Sequence, residues 1–208
     1  MTKRLFVAAA LIAATSATPT FAEGFQLGLG AGAVWPTGDL SDGYEQHFSL
    51  ELWMVGPIAG HVSWRGEYAY DRFQLDNQIQ DDCQFAGLLC DSQLGYTHFG
   101  GGIQVSGNMG ERFVPYGYFT IGVYHSSGNE AILDPVTKDF LAAEGSENDF
   151  GIALGGGVDC RLNDSWAIGG DVRASGVFPN DLNLGEGIVI DRKSVWFVAT
   201  SGHLVFVF

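Results

Sequence analysis

The sequence has little positive charge. It contains 10 Lys and Arg residues against 24 Asp and Glu residues, and its formal net charge at pH 7 is −14. Nucleic-acid binding depends on a basic surface that neutralises phosphates. We therefore expect no nucleic-acid partner.

The sequence also lacks a long hydrophobic run. Its longest apolar stretch spans 5–14, far short of the roughly 20 residues that a membrane-spanning helix needs. A basic start, this apolar stretch and a small residue at Ala22 predict a cleaved signal peptide over 1–22 and a mature domain over 23–208. Any membrane insertion of an exported chain of this kind must use strands.

Cysteine is scarce, with three in the chain. Cys83 and Cys90 lie in one polar segment, and an oxidising compartment favours a local disulfide between them. A zinc site is the alternative, but no His or third Cys accompanies the pair. Cys160 is then left without a partner.

Glycine and aromatic residues are abundant, with 30 Gly, 15 Phe, 7 Tyr and 5 Trp. This composition is typical of sheets with close backbone contacts. Strand-like alternation between turn residues occurs in eight stretches: 24–35, 47–56, 61–71, 94–106, 113–125, 150–162, 166–177 and 195–208.

The connections between these stretches alternate between long and short. Tight turns on the periplasmic side and longer loops outside are characteristic of outer-membrane barrels. The sequence therefore predicts an all-β fold, an eight-stranded antiparallel up-and-down transmembrane β-barrel.

Aromatic residues on one face of the alternation fall into two belts, as at the two polar boundaries of a bilayer. Near the short turns and the termini lie Phe25, Trp64, Phe113, Trp166 and Phe208, and near the long loops lie Trp35, Phe48, Tyr70, Phe99, Phe150 and Trp196. Aliphatic or small residues lie between the belts: Leu27, Leu29, Ala31, Leu50, Leu52, Ile103, Val105, Ile121, Val123, Ile152, Leu154, Ile168, Val172 and Val198. The core of a soluble sheet is the alternative interpretation.

Charged residues of both signs alternate onto the opposite face. They are Glu51, Arg65, Glu67, Asp159, Arg161, Asp171 and Arg173. Buried charges must be paired and hydrogen-bonded, and eight strands enclose little more than side chains. We expect an ion network that plugs the lumen.

Three segments carry a resemblance to a known family: "GFQLGLGAGAVWPTGDLSD", "FVPYGYFTIGVYH" and "GIALGGGVDCRLNDSWAIGGDVRASG". They resemble strands of the small outer-membrane β-barrel proteins of the opacity, OmpX and OmpA-domain kind. Phe206 and Phe208 on an alternating last strand are similar to the signal that the barrel-assembly machinery reads, although Gly202 stands one place further from the end than the glycine of that signal.

The resemblance implies a monomeric, non-enzymatic barrel that reaches the outer membrane through the periplasm. Its role would be structural or surface-interacting, with outer-membrane lipid and lipopolysaccharide as partners. A narrow pore or channel for small apolar solutes is the alternative.

One cluster is compatible with catalysis. His125 and Ser127 share a strand face and are similar to the site of outer-membrane lipid A deacylases, in which His activates Ser. Those enzymes usually have Asn where this chain has Gly128, and no acid is assigned to orient the imidazole. No glycine-rich segment stands between a strand and a helix, so no cofactor is expected.

Acidic residues crowd the predicted loops: Asp39, Asp42, Glu45, Asp76, Asp81, Asp82, Asp91, Glu130, Asp134, Asp139, Glu144, Glu147 and Asp149. A solvated surface explains them. Divalent cations shared with lipopolysaccharide phosphates are the alternative, because oxygen ligands suit calcium and magnesium.

Overall fold

The computed structural model describes part of the chain. The described residues are 24–77, 93–108, 112–133, 140–179, 182–183, 189–190 and 193–208. The predicted signal peptide, Cys83 and Cys90 lie outside them.

Eight long strands form the fold, here named β1 to β8. They are β1 Gln26–Thr37, β2 His47–Ala59, β3 Val62–Leu75, β4 Gln93–Ser106, β5 Phe113–Leu133, β6 Phe140–Arg161, β7 Trp166–Phe178 and β8 Val195–Val207. Three two-residue strands, Tyr44–Glu45, Leu182–Asn183 and Val189–Ile190, and the 3-10 helix Gly38–Asp42 lie in the connections.

The sheet is closed. Each strand pairs antiparallel with the next, and β1 also pairs with β8, from Gln26 opposite Val207 to Thr37 opposite Trp196. The predicted eight-stranded antiparallel barrel is therefore confirmed. The described residues contain no helix that is long and apolar enough to cross a membrane.

Strand length is where the prediction and the structure differ most. The segment 126–149 is not simply a loop, because β5 and β6 stay paired as far as Leu133 opposite Phe140. Polar residues such as Ser126, Ser127 and Glu147 break the apolar alternation there. Backbone pairing does not require an apolar face, so the hairpin continues past the apolar zone.

The outer surface of the barrel is apolar. Leu29, Phe99 and Leu154 are each at least 60 % exposed, and the aliphatic positions predicted to face outward are all exposed or half-buried. A water-soluble monomer rarely carries so large a continuous apolar surface. The outward face predicted from alternation is confirmed.

Aromatic side chains meet at both edges of this surface. At the end with short turns, called the turn end, Phe206 lies 4.8 Å from both Trp166 and Phe208, measured between ring centroids. At the opposite end, called the loop end, Phe178 lies 6.2 Å from Phe150 and 6.0 Å from Trp196. The two predicted belts are present.

Two of the tight turns have a clear local cause. The turn between β2 and β3 begins at Gly60, whose φ of +54° is in the left-handed region that glycine adopts without strain. In the turn between β6 and β7, Asn163 Oδ1 accepts hydrogen bonds from the backbone N–H groups of Ser165 and Trp166, both at 2.9 Å. Asn commonly makes such a turn with its own side chain.

Candidate functional site in the barrel interior

The barrel interior is arranged in three layers along the barrel axis. The layer at the loop end is apolar and aromatic. Its buried members are Val34, Phe73, Tyr96, Tyr124, Val177, Phe197 and Ala199, and Leu40 and Tyr44 from the first long connection pack against them. Tyr96 and Phe197 stack with their ring centroids 5.5 Å apart.

The layer at the turn end is also largely apolar. It contains Trp53, Val55, Ala167 and Val205, with Val207 packed against them. A small pocket opens beside this layer and reaches Asp159. Most of the charged residues thus lie between two largely apolar layers, while Arg161 lines the pocket at the turn end and buried Asp149 lies opposite Tyr124 in the loop-end layer.

Arg65 is the first of two buried arginines in the middle layer. Its Nε donates to Glu67 Oε2 at 2.8 Å, and its Nη1 donates to Gln104 Oε1 at 3.0 Å. The guanidinium carbon also lies 3.8 Å from the ring centroid of Tyr118 and 4.9 Å from that of Trp53. Hydrogen bonds and cation–π contacts together satisfy this buried charge.

Arg173 is the second buried arginine and is 2 % exposed. Its Nη2 donates to both carboxylate oxygens of Asp71 at 2.7 Å, and Ser49 Oγ donates to the same carboxylate at 2.6 Å. Its Nη1 lies 3.7 Å from Glu51 Oε2, a longer ion pair. Arg173 therefore joins strands β2, β3 and β7 across the interior.

Glu51 and Asp171 form a second, acidic half of the middle layer. Ser201 Oγ lies between them, in hydrogen-bond contact with Glu51 Oε1 and 2.8 Å from Asp171 Oδ1. The hydroxyls of Tyr116 and Tyr118 point to Asp171 Oδ2 at 3.3 and 3.5 Å. Among the described residues, Asp171 forms no ion pair with arginine or lysine.

His203 extends this acidic half toward the turn end. Its Nε2 lies 2.7 Å from Asp159 Oδ1, and its ring contacts Trp53 edge to face at a centroid distance of 4.9 Å. Its Nδ1 has no hydrogen-bond partner among the described residues. Arg161, also expected in the network, is half-buried and lines the pocket beside Asp159.

The residues expected in the lumen are thus all on the inner face, but they fall into separate groups. Arg65 and Glu67 form one pair, Arg173 joins Asp71 and Glu51, and Asp159 and Asp171 lie on the acidic side with His203. Sequence reasoning missed Asp71, His98 and His203, all of which are buried. Alternation alone places them inward, so the signal was present in the sequence.

Asp149 corrects an expectation. The sequence predicts that it lies in an acidic external loop, yet it is 4 % exposed and faces inward on β6. The reason is the longer β5–β6 hairpin, which continues the inward alternation through this position.

The other acidic residues lie in several settings. Asp39 forms an ion pair with Lys193 at 2.6 Å on the exposed loop side, and this hydrogen bond raises the pKa of the Lys193 ammonium. Glu130, Glu144 and Glu147 lie within the paired backbone of β5 and β6. Asp81, Asp82, Asp91, Asp134 and Asp139 lie outside the described residues.

His125 and Ser127 lie on the outer face of β5, as their shared alternation requires. His125 Nδ1 is 2.9 Å from Asn148 Oδ1 on β6. The hydrogen-bond partner of the imidazole is therefore an amide, which can orient the ring but carries no negative charge to stabilise an imidazolium as the carboxylate of a Ser-His-Asp triad does.

Comparison with known proteins agrees with this architecture. A family model described as the outer membrane protein beta-barrel domain matches residues 5–190. The chain belongs to the outer membrane protein beta-barrel domain family. No curated protein sequence matches this member of the family.

Solved structures show the same fold at low sequence identity. The barrel is similar to Neisserial surface protein A, with a TM-score of 0.60, 12 % identity, and coverage of 88 % of this chain and 97 % of that one. It is also similar to a major outer membrane protein from Thermus thermophilus, with a TM-score of 0.57, 12 % identity, and coverage of 88 % and 99 %. OprG from Pseudomonas aeruginosa gives a TM-score of 0.50 at 11 % identity, with coverage of 90 % and 98 %.

Family membership implies that this outer membrane protein beta-barrel domain lies in the outer membrane. The apolar outer surface and the two aromatic belts give the physical reason, because lipid solvates such a surface and water does not.

Proposed function

We propose that this protein is a non-enzymatic structural barrel whose lumen does not conduct ions across the membrane and whose loop end interacts with molecules at the cell surface. The single observation that carries the proposal is the order of the interior layers. Apolar residues fill most of the interior on both sides of the central charged layer. The charges beyond that layer, Asp149 at the loop end and Arg161 at the turn end, are separated from each other by it, so no continuous polar path crosses the lumen.

The charged layer supports the same conclusion. Arg65 and Arg173 are engaged by Glu67 and Asp71 at 2.7 to 2.8 Å and are almost fully buried. Separating such pairs leaves unpaired charges in a medium of low polarity, which costs several kcal/mol. Thermal motion therefore opens the network rarely.

The loop end supports the proposed surface role. Leu40 of the 3-10 helix Gly38–Asp42 packs against the apolar interior layer at the loop end. Asp39 of the same helix forms an ion pair with Lys193 of the last long connection. The first and last connections are thereby held together above the barrel. We infer that the apolar outer surface contacts membrane lipid and that the acidic loop end contacts lipopolysaccharide or the cations bound to it. We also infer that the protein is a monomer and that the barrel-assembly machinery inserts it into the membrane.

Conductance in planar lipid bilayers tests the closed interior. We expect no steady unitary openings from the refolded protein, while a porin added to the same membrane reports normal openings. Heat-dependent mobility in detergent gels verifies that the sample is folded. Steady openings that disappear or change size in Arg65→Ala or Arg173→Ala, but not in the lipid-facing variant Phe99→Ala, would show that the interior conducts.

A further inference from the structure

We propose that Glu51, Asp171 and His203 bind a divalent transition-metal ion inside the barrel, and that the ligand set favours zinc. One ring nitrogen of His203 and one carboxylate oxygen from each acid lie within 4.8 Å of one another. All three side chains are buried. This inference does not depend on whether the interior conducts ions.

Charge balance is the first argument. Arg65 is engaged with Glu67 and Arg173 mainly with Asp71, so Glu51 keeps only the longer contact to Arg173 at 3.7 Å. Ser201 has one hydroxyl proton, yet its oxygen lies within hydrogen-bond distance of both Glu51 and Asp171. One of those two contacts therefore lacks a proton from Ser201. Two buried carboxylates next to each other need either a proton held between them or a further positive charge, and a bound cation supplies that charge.

The histidine is the second and independent argument. His203 is 93 % buried, since its exposed fraction is 7 %, and its Nδ1 has no hydrogen-bond partner in the described part of the chain. Its Nε2 is held by Asp159 at 2.7 Å. Histidines that bind metals commonly donate the other ring N–H to a carboxylate, which fixes the ring and strengthens the ligand. Asp159 is in position to be that carboxylate.

The barrel wall leaves space for the cluster by means of glycines. A Cβ at Gly30 would lie 2.5 Å from Glu51 Oε1, and a Cβ at Gly169 would lie 2.4 Å from His203 Nε2 and 2.5 Å from Asp159 Oδ1. A Cβ at Gly157 would lie 2.7 Å from the Cβ of Asp171. Any larger residue at these three places would displace a member of the cluster.

The ligand chemistry selects the ion. One imidazole and two carboxylates suit zinc, whose nitrogen and oxygen ligands lie at about 2.0 to 2.2 Å and therefore about 3.4 Å from one another. Calcium prefers six to eight oxygen ligands and does not favour imidazole. The ligand atoms need to approach one another by up to about 1.4 Å from the observed spread of 4.8 Å. The pocket that reaches Asp159 from the turn end offers an entry route.

Calorimetric titration of the metal-stripped, folded protein in detergent tests the proposal. We expect one Zn²⁺ per chain, an affinity at least tenfold lower in His203→Gln and in Glu51→Gln, and a 10- to 100-fold lower affinity in Asp159→Asn. The matched control is His61→Gln, because His61 lies exposed in a tight turn; it should bind zinc as the wild type does. Ca²⁺ should not compete.

Tryptophan fluorescence gives a second readout that does not need the ligand variants to fold. Trp53 contacts His203, whereas the other four tryptophans, Trp35, Trp64, Trp166 and Trp196, lie on the outer face. Co²⁺ should quench part of the emission of the wild type, Zn²⁺ added first should prevent this, and Trp53→Phe should lose the quenching. Unchanged zinc affinity in folded His203→Gln, equal competition by Ca²⁺, or equal Co²⁺ quenching in Trp53→Phe would each overturn the proposal.

Discussion

At the scale of single residues, the stability of the interior depends on a few side chains that neutralise buried charges. Arg173 is the clearest example, because it contacts carboxylates from two other strands and a serine hydroxyl while only 2 % exposed. Removing such a residue lowers stability mainly because its buried partner is left without a counter-charge. Asp71 is 0 % exposed and would remain as a buried carboxylate whose arginine partner had gone.

Arg173→Ala is therefore expected to lower the free energy of unfolding by about 3–5 kcal/mol, the usual cost of removing one partner from a buried ion pair. Urea unfolding of the barrel in lipid vesicles measures this. Lys193→Ala removes an exposed ion pair and should leave the unfolding midpoint close to that of the wild type. Equal midpoints for the two variants would contradict the assigned burial of Arg173.

At the scale of elements, the seam between β1 and β8 closes the barrel and brings the two backbones very close together. Gly32 lies opposite Ser201, and a Cβ at Gly32 would lie 1.8 Å from Thr200 O and 2.7 Å from the Cα of Ser201. Those are backbone atoms, which cannot rotate away. By contrast, a Cβ at Gly66 has its nearest neighbour, a Trp64 ring atom, at 3.7 Å.

Gly32→Ala should therefore destabilise the barrel by about 1–3 kcal/mol through overpacking, while Gly66→Ala should fold normally. Detergent gels of samples taken across a urea series measure the folded fraction of each variant, because a folded barrel shows heat-dependent mobility. The urea midpoints of the two variants give the difference in stability. If the two alanine variants fold alike, the seam is looser than described.

Strand assignments also show what sequence could predict. Two-residue alternation was enough to assign the outer and inner faces of the strands. Lipid selects apolar side chains on the outer face, whereas the interior holds charged and polar side chains, so the two faces differ in composition. It failed for β5 beyond His125 and for β6 before Phe150, since the apolar alternation ends there while backbone pairing continues.

The interior was predictable in membership but not in pairing. The "RGE" and "DVR" spacings placed Arg65, Glu67, Asp171 and Arg173 inward, but which acid meets which arginine depends on register between strands far apart in sequence. Arg173 binds Asp71, and Asp171 lies beside Ser201. Alternation places His203 inward as well, but the contact of its ring with Asp159 joins two strands and depends on the same long-range register.

At the scale of the whole molecule, apolar side chains cover the outer surface and charged side chains are buried inside, the reverse of a water-soluble protein. Leu154 is 63 % exposed in the middle of the apolar zone, between outward-facing Phe150 and Val158. On a protein surrounded by water, a charge at this position would be tolerated. In a barrel surrounded by hydrocarbon it is costly.

Leu154→Arg should accordingly lower the free energy of unfolding in vesicles by about 2–4 kcal/mol, the cost of a cation near the bilayer midplane. Leu162→Arg is the matched control, because Leu162 is similarly exposed at 55 % but lies in the tight turn after β6; its cost should stay below about 1 kcal/mol. Equal effects at the two positions would argue against lipid around the barrel.

Among the described strands, those of the β5–β6 hairpin are the longest. Its strands contain 21 and 22 residues, against 12 to 14 in the other six, so it extends about 25 Å farther at roughly 3.4 Å per residue. The two strands are paired without interruption from the membrane zone to Leu133 and Phe140. Among the described strands this hairpin therefore projects farthest from the apolar zone, and a force applied to the backbone at Leu133 or Phe140 is transmitted through the ladder of hydrogen bonds to one side of the barrel wall.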